Sequence, residues 1–432
     1  MTVSNSAWGN GLSTTVDSTS ISHLDSLFTV PAQIILTKQK IAASYPDDAA
    51  VSAAILATRV DDHAIAAQLM VECSLRKHSL VYPYLMILPK SVPNLQTFND
   101  DELALFQSDV IHSNGLNMRM QTVASYNTLA PTITEMARVA AANAGVPLTA
   151  TDATCLSEES FAHYASVVGS RAMVLQGTKH LTPLADMANY SPNSNSRAAS
   201  GGTDFLTYHV LGDDGSMTVK SDRDVAGSLR HGGPQQIFED YGDNSNSIYI
   251  EAHGFVPDVN PFNCGEIPNP VVDSDAVLAI LKNLKIVQDT ASLLDAHLSS
   301  PNACVTADLS IAANSREYAY YAVVALQSRP QKLEYCQAMS MNRETRGEAC
   351  IRYGGNVNAV TELLKEVAVA AIAKFPTDKT HDEALLASGE LSERGELAVK
   401  YRLAQKEVLA EAAKETVKSK VSGERRVNKC AR

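Results

Sequence analysis

The 432-residue sequence places a guanidinium, a carboxylate, a phenol and an imidazole in three short segments. The first is Ser170-Arg171-Ala172-Met173. The second is Asp186-Met187-Ala188-Asn189-Tyr190-Ser191. The third runs from Tyr241 to Phe255 and contains His253. The guanidinium of Arg171 offers a planar fork that suits a carboxylate. A neutral imidazole at His253 can accept a proton or a hydrogen bond. Gly9 and Gly11 would let a ligand approach the main chain closely. Each residue also has a plainer reading. Arg171 would form an ion pair within the core, Asp186 would cap a turn or helix, and His253 would pack.

Secondary structure must bring these segments together. Gly9-Asn10-Gly11-Leu12 reads as a turn at the head of short β segments that end at Val30-Pro31. Residues 47–150 read mostly as helices, with Ala, Leu and Met at helical spacing in Ala49–Arg76 and Ile133–Ala144. Phe161–Val168 reads as a helix leading into Ser170-Arg171. Leu206–Lys220, broken by Gly212-Asp213-Asp214-Gly215, predicts a β-hairpin, and Ile237-Phe238 predicts a strand entering the Tyr241 segment. Pro192–Gly202 reads as a Ser/Asn/Gly-rich loop. From about 275 the pattern is helical, over Ala276–Leu298, Arg316–Leu326, Val357–Phe375 and Ser392–Val421. The end is basic, with ten Lys/Arg against four Glu from 400 to 432, and reads as a solvated helix and tail.

Composition bounds the function classes. Hydrophobic content of 45% and charged content of 19% describe a soluble globular protein with a sizeable core. A net charge of -12 argues against general binding to nucleic acid or an anionic membrane and is compatible with a basic protein substrate. No apolar run approaches the roughly 20 residues of a membrane span. The seven cysteines form no CxxC pair and no metal-ligand spacing. Their odd, dispersed set predicts reduced thiols in a reducing compartment.

Taken in order, these segments resemble SET-domain protein methyltransferases of the Rubisco large-subunit lysine methyltransferase branch, which includes the actin-histidine methyltransferase. The resemblance rests on Gly9-x-Gly11-Leu12, Ser79–Pro89, Phe98–Leu105, Ser170-Arg171-Ala172, Asp186-x-x-Asn189-Tyr190-Ser191, Tyr241-Gly242-x-x-Ser245-Asn246, His253-Gly254-Phe255 and Asn260–Cys264. It runs to about Leu409. The chain departs from the family pattern at Tyr190, where histidine is usual, at His253, where tyrosine is usual, at Asn263, where aspartate is usual, and in two missing tryptophans.

The resemblance implies an α+β protein: a mostly β SET core with a pseudoknot over 1–274, split by a helical insertion at about 45–155. An all-α substrate-binding domain over 275–425 and a basic tail over 426–432 would follow. It implies S-adenosylmethionine as cofactor, bound by Asn10, Gly11, Leu12, Arg171, Asn189 and Tyr190. Tyr241 and His253 would be catalytic. Arg171, Asp186 and Phe255 would face the substrate, and no metal would take part. Transfer would be to a protein lysine, with histidine as an alternative, by a monomer in the cytoplasm or nucleus; a plastid address stays open if the N-terminus is incomplete. Orientation of a neutral nitrogen in line with the methyl, and exclusion of water, would supply the rate. The rival reading is a SET-like protein-binding module that no longer transfers methyl groups.

Overall fold

The computed structural model describes residues 2–6, 9–13, 21–147, 152–190, 206–222, 224, 236–239, 241–242, 244–268, 302–307, 322–326, 331, 333–335, 350 and 357–414. The chain forms two units, one of Met1–Asn99 with Ser113–Pro261, the other of Asp100–His112 with Phe262–Arg432. The second unit contains everything from 275 onward together with a short piece of the insertion.

The first unit is built on strands β1 (Thr2–Ser6), β2 (Gly9–Ser13), β3 (Ser26–Val30), β4 (Met173–Leu175), β5 (Thr178–His180), β6 (Asn189–Tyr190), β7 (Leu206–Leu211), β8 (Met217–Ser221) and β9 (Gln236–Glu239). The main sheet has the order β1-β2-β9-β7-β8-β3, and β6 pairs with β9 in parallel. Strand β8 shows why such short segments hold. Met217, Val219 and Ser221 are buried while their neighbours are less so, the two-residue period of a strand with one face on the core. The hairpin read over Leu206–Lys220 is β7–β8, turned by Gly212–Gly215.

The insertion carries α1 (Lys38–Ala43), α2 (Ala49–Ala57), α3 (Asp61–Leu75), α4 (Tyr82–Leu85), α5 (Asp100–Ala104) and α6 (Asp109–Asn143), of which α5 lies in the second unit. Helix α7 (Glu158–Arg171) follows it and packs against α3. Ala64, Ala66 and Ala67 of α3 are fully buried, and their small side chains admit a close neighbour. Ser157 starts α7 by accepting from Ser160 N, and Glu158 and Glu159 sit where the helix dipole favours negative charge. With its start capped and its apolar face in the core, α7 holds Ser170-Arg171 at its far end.

Two expectations are corrected in this unit. Gly9-Asn10-Gly11-Leu12 is not a turn: it lies in β2, paired with β1 and with β9. The dispersed cysteines are not all reduced thiols. Cys73, near the end of α3, is bonded to Cys155 with their Cα atoms 5.8 Å apart, and Cys264 and Cys350 are also disulfide-bonded. The 82-residue separation of the first pair carries no signal in sequence. Packing of α3 on the turn Ala153–Leu156 brings the two together.

The second unit contains the helices Val357–Lys374, Lys379–Ser388 and Glu393–Lys414. It also contains an antiparallel pair, β10 (Gly265–Pro268) with β11 (Asn302–Val305), so it is not purely helical. The expected helix over Ala276–Leu298, the loop Pro192–Gly202 and the basic tail 426–432 lie outside the described residues. A buried carboxylate ties the last helices together. Asp382 receives Arg402 at 2.8 Å, Lys406, and the Thr377 hydroxyl at 2.8 Å. Burial pushes its carboxyl up, but these donors outweigh that and hold it below the usual aspartate range. Among the described residues no helix is long and apolar enough to cross a membrane.

Candidate active site

Strand pairing and one helix end gather the chemical groups in the first unit. The parallel pairing of β6 with β9 sets Asn189 beside Phe238 and Tyr190 beside Glu239, just ahead of Tyr241. Strand β2 lies on β9 with Leu12 opposite Ile237 and Ser13 opposite Gln236. Gly11 is buried, and a Cβ there would stand 2.7 Å from both Asn189 Nδ2 and Gln236 Nε2. Glycine is needed here for close approach, not for a turn. Leu12 is buried in the core, and Asn10 sits in β2.

At the end of α7, Arg171 Nη1 donates to the main-chain oxygen of Asp186 at 2.9 Å and lies 3.5 Å from its Oδ2. Tyr84 donates its hydroxyl to the same Oδ2 at 2.6 Å. The Asp186 side chain is wholly closed off from solvent. Burial raises its carboxyl above the usual range, against the pull of Arg171 and Tyr84. Burial and the neighbouring carboxylate together push the Tyr84 phenol well up, so the phenol stays protonated and donates. Asp186 sits within the turn Ala185–Met187 and caps no helix; the plainer reading of Arg171 as an ion-pair partner holds alongside any role in binding.

Tyr190, Tyr241, Tyr249, His253 and Phe255 form one aromatic cluster. Tyr241 and His253 have ring centroids 4.7 Å apart, and Tyr190 lies 5.1–5.7 Å from Tyr249, Phe255 and Tyr241. The Tyr241 hydroxyl donates to the oxygen of Ala188 at 3.1 Å, beside Asn189. His253 ends a π-helical turn, Tyr249–His253, and its Nδ1 donates to Ser170 O at 3.0 Å. Burial holds the imidazole below its ordinary value of 6.5, so it is neutral near pH 7. Gly254 closes the turn at φ 76°, and a Cβ there would meet the Pro93 carbonyl carbon at 2.8 Å. Asn94, the next residue, is itself buried and donates to Ser166 O and Ala252 O, joining α7 to the turn.

The structure thus brings together Gly11, Leu12, Asn189, Tyr190, Tyr241, His253 and Phe255 on one side, and Arg171 with Asp186 close by. Buried polar atoms in this region have no hydrogen-bond partner: Arg171 Nε, Asp186 Oδ1, Asn189 Nδ2 and Gln236 Nε2. A buried polar atom without a partner is costly, which marks places where a ligand atom fits. Tyr84 and Gln236 are not among the site residues that the sequence singles out. The tyrosine of the Ser79–Pro89 landmark was the available signal for the first; nothing in sequence pointed to the second. No cluster of metal-ligating side chains occurs among the described residues.

Comparison with known proteins identifies the fold. The fold matches the crystal structure of the SET domain of LSMT bound to lysine and AdoHcy, with a TM-score of 0.63 and 17% identity over 95% of this chain and 85% of that one. Rubisco LSMT bound to AdoMet matches at a TM-score of 0.61 and 17% identity, with the same coverage. Rubisco LSMT bound to sinefungin and monomethyllysine matches at 0.63 and 18%. The chain therefore has the SET-domain fold of the Rubisco LSMT type. Residues 274–409 match the model of the Rubisco LSMT substrate-binding family. No curated protein sequence matches the chain.

Proposed function

We propose that this chain is an S-adenosylmethionine-dependent protein N-methyltransferase acting on a lysine side chain. The observation that carries the proposal is the set of unpartnered buried donors and one carboxylate oxygen at Arg171, Asn189 and Asp186, beside a glycine strand that admits close approach. The AdoMet-bound and lysine-bound structures of the same fold support it.

Asn10, Gly11, Leu12, Arg171, Asn189 and Tyr190 would hold the cofactor. S-adenosylmethionine supplies an electrophilic methyl group on a sulfonium. Arg171 fixes an anionic group through its fork, and Asp186 with Tyr84 fixes Arg171. Tyr241, His253 and Phe255 wall the approach of the nitrogen and exclude water. His253, with Nδ1 committed to Ser170 O, offers Nε2 as an acceptor to an N–H of the incoming amine and so aims its lone pair. Arg171, Asp186 and Phe255 form the substrate side of the site.

One observation favours the rival reading. Tyr190 and His253 stand where the family pattern has histidine and tyrosine, and the five rings pack directly on one another. A methyl-transfer assay separates the readings. The chain is incubated with isotope-labelled S-adenosylmethionine and a panel of basic peptides, and the modified residue is located by mass spectrometry. Label on a lysine supports the proposal, label on a histidine redirects it, and no label under conditions where the cofactor binds leaves the binding module.

A further inference from the structure

Gln236 lies outside every motif that suggested the site, yet its amide nitrogen is among the buried atoms without a hydrogen-bond partner. It opens β9 opposite Ser13, and its Nε2 approaches the same point above Gly11 as Asn189 Nδ2, 2.7 Å from each. Two amide nitrogens that converge on one place, both closed from water and neither bonded, are a pair of donors that lack an acceptor. Arg171 Nε is a third buried donor without a partner, and its Nη1 reaches the main chain of Asp186, just ahead of Asn189. A group of donors that includes a guanidinium selects an anion, because charged acceptors make the strongest hydrogen bonds and have lone pairs for several donors.

We infer that Gln236 is a cofactor-contact residue, pairing with Asn189 to bind the α-carboxylate at the amino-acid end of the cofactor. The inference rests on the reading of the site as one for S-adenosylmethionine. It accounts for glycine at position 11, because any side chain at Gly11 would displace both amides. It also separates Gln236 from a merely structural strand residue, since the amide does nothing for the fold until the acceptor arrives. The competing arrangement turns one amide over, so that the oxygen of one meets the nitrogen of the other. Gln236 would then stabilise the free protein and contribute nothing specific to binding.

The test is titration calorimetry of the full chain with two probes, S-adenosylhomocysteine and 5′-methylthioadenosine, which lacks the amino-acid end. Thermal unfolding of the free proteins is measured alongside. Gln236→Ala is expected to weaken S-adenosylhomocysteine by about ten-fold or more, the usual loss for a hydrogen bond to a charged group. Its affinity for 5′-methylthioadenosine and its unfolding temperature without ligand should stay close to those of the unaltered chain. Gln236→Glu, which sets a carboxylate against a carboxylate, is expected to bind S-adenosylhomocysteine more weakly still. Equal losses for the two probes, no loss for either, or a marked fall in the unfolding temperature of free Gln236→Ala would overturn the inference. If the unaltered chain binds neither probe, the reading of the site fails as a whole, which is a different result from loss of Gln236 alone.

Discussion

His253 Nδ1 donates to the main-chain oxygen of Ser170 across 3.0 Å, and Ser170 immediately precedes Arg171 at the end of α7. One hydrogen bond therefore ties the imidazole to the helix that delivers the guanidinium. Because Ser170 O can only accept, the neutral ring carries its proton on Nδ1, and Nε2 is its acceptor.

The state of this ring sets an expected pH dependence. Burial holds its folded value below 6.5, so the neutral, transfer-competent ring is present above that lowered value and is lost as pH falls through it. Methyl transfer should rise with pH below neutrality and then level off as far as His253 is concerned. His253→Ala should lose the acid limb and about ten-fold in rate, the worth of one positioned hydrogen bond to a reacting group. His253→Tyr should retain or raise lysine methylation. Identical pH–rate profiles for the unaltered chain and His253→Ala would reduce His253 to packing.

Tyr84 supports Asp186 from the insertion. Tyr84→Phe removes the 2.6 Å donor to a carboxylate closed off from solvent. A buried acceptor that loses its partner costs about 1–3 kcal/mol. Denaturant unfolding should show a loss of that order, and the affinity for S-adenosylhomocysteine should fall because Arg171 loses its brace. Unchanged stability and affinity would show that the phenol only fills space.

Acid should weaken the first unit as pH falls below neutrality. The side chain of His209 in β7 is buried, lies 3.3 Å from Glu239, and is pushed down to about 4 by that burial. A depressed histidine contributes stability that is fully present above its unfolded value of 6.5 and is lost as pH falls towards about 4. The loss should approach about 3 kcal/mol, at 1.36 kcal/mol for each pH unit. Unfolding curves between pH 7 and pH 4 should be flatter for His209→Gln. A slope unaffected by the substitution would contradict the assignment.

The Cys73–Cys155 bond closes a loop across 82 positions and pins the end of α3 to the turn before α7. Chain-entropy arguments give such a loop roughly 4 kcal/mol. The double variant Cys73→Ala, Cys155→Ala should unfold at clearly lower denaturant, and reductant should lower the midpoint of the unaltered chain by more than that of the variant, which keeps the bonds at Cys264 and Cys350. Equal midpoints in all cases would show that the bond adds nothing.

Residue pattern carried much of the architecture and the segments that hold the candidate site, and the reasons are local. The hairpin at Gly212–Gly215, helix α7 ahead of Arg171, and strand β9 ahead of Tyr241 are each specified by short-range periodicity and turn residues. What was not legible depends on long-range contact. The glycines of β2 read as a turn, because pairing with β1 overrides their local preference, and the smallness of Gly11 leaves room for Asn189 and Gln236. Tyr84 looked like any core aromatic, since its partner Asp186 lies 102 positions away. Cys73 and Cys155 carried no spacing signal for the same reason. The short pair β10–β11 lies outside the helical segments read there, and only the pairing of its two strands with each other defines it.

The central claim is a site for S-adenosylmethionine at Arg171 and Asn189, and calorimetric titration of the chain with that compound tests it most directly. The account predicts saturable binding at a single site, weakened by about ten-fold or more in Arg171→Ala and in Asn189→Ala, with both variants still folded. Absence of binding to the folded, unaltered chain, or binding that neither substitution affects, would contradict it.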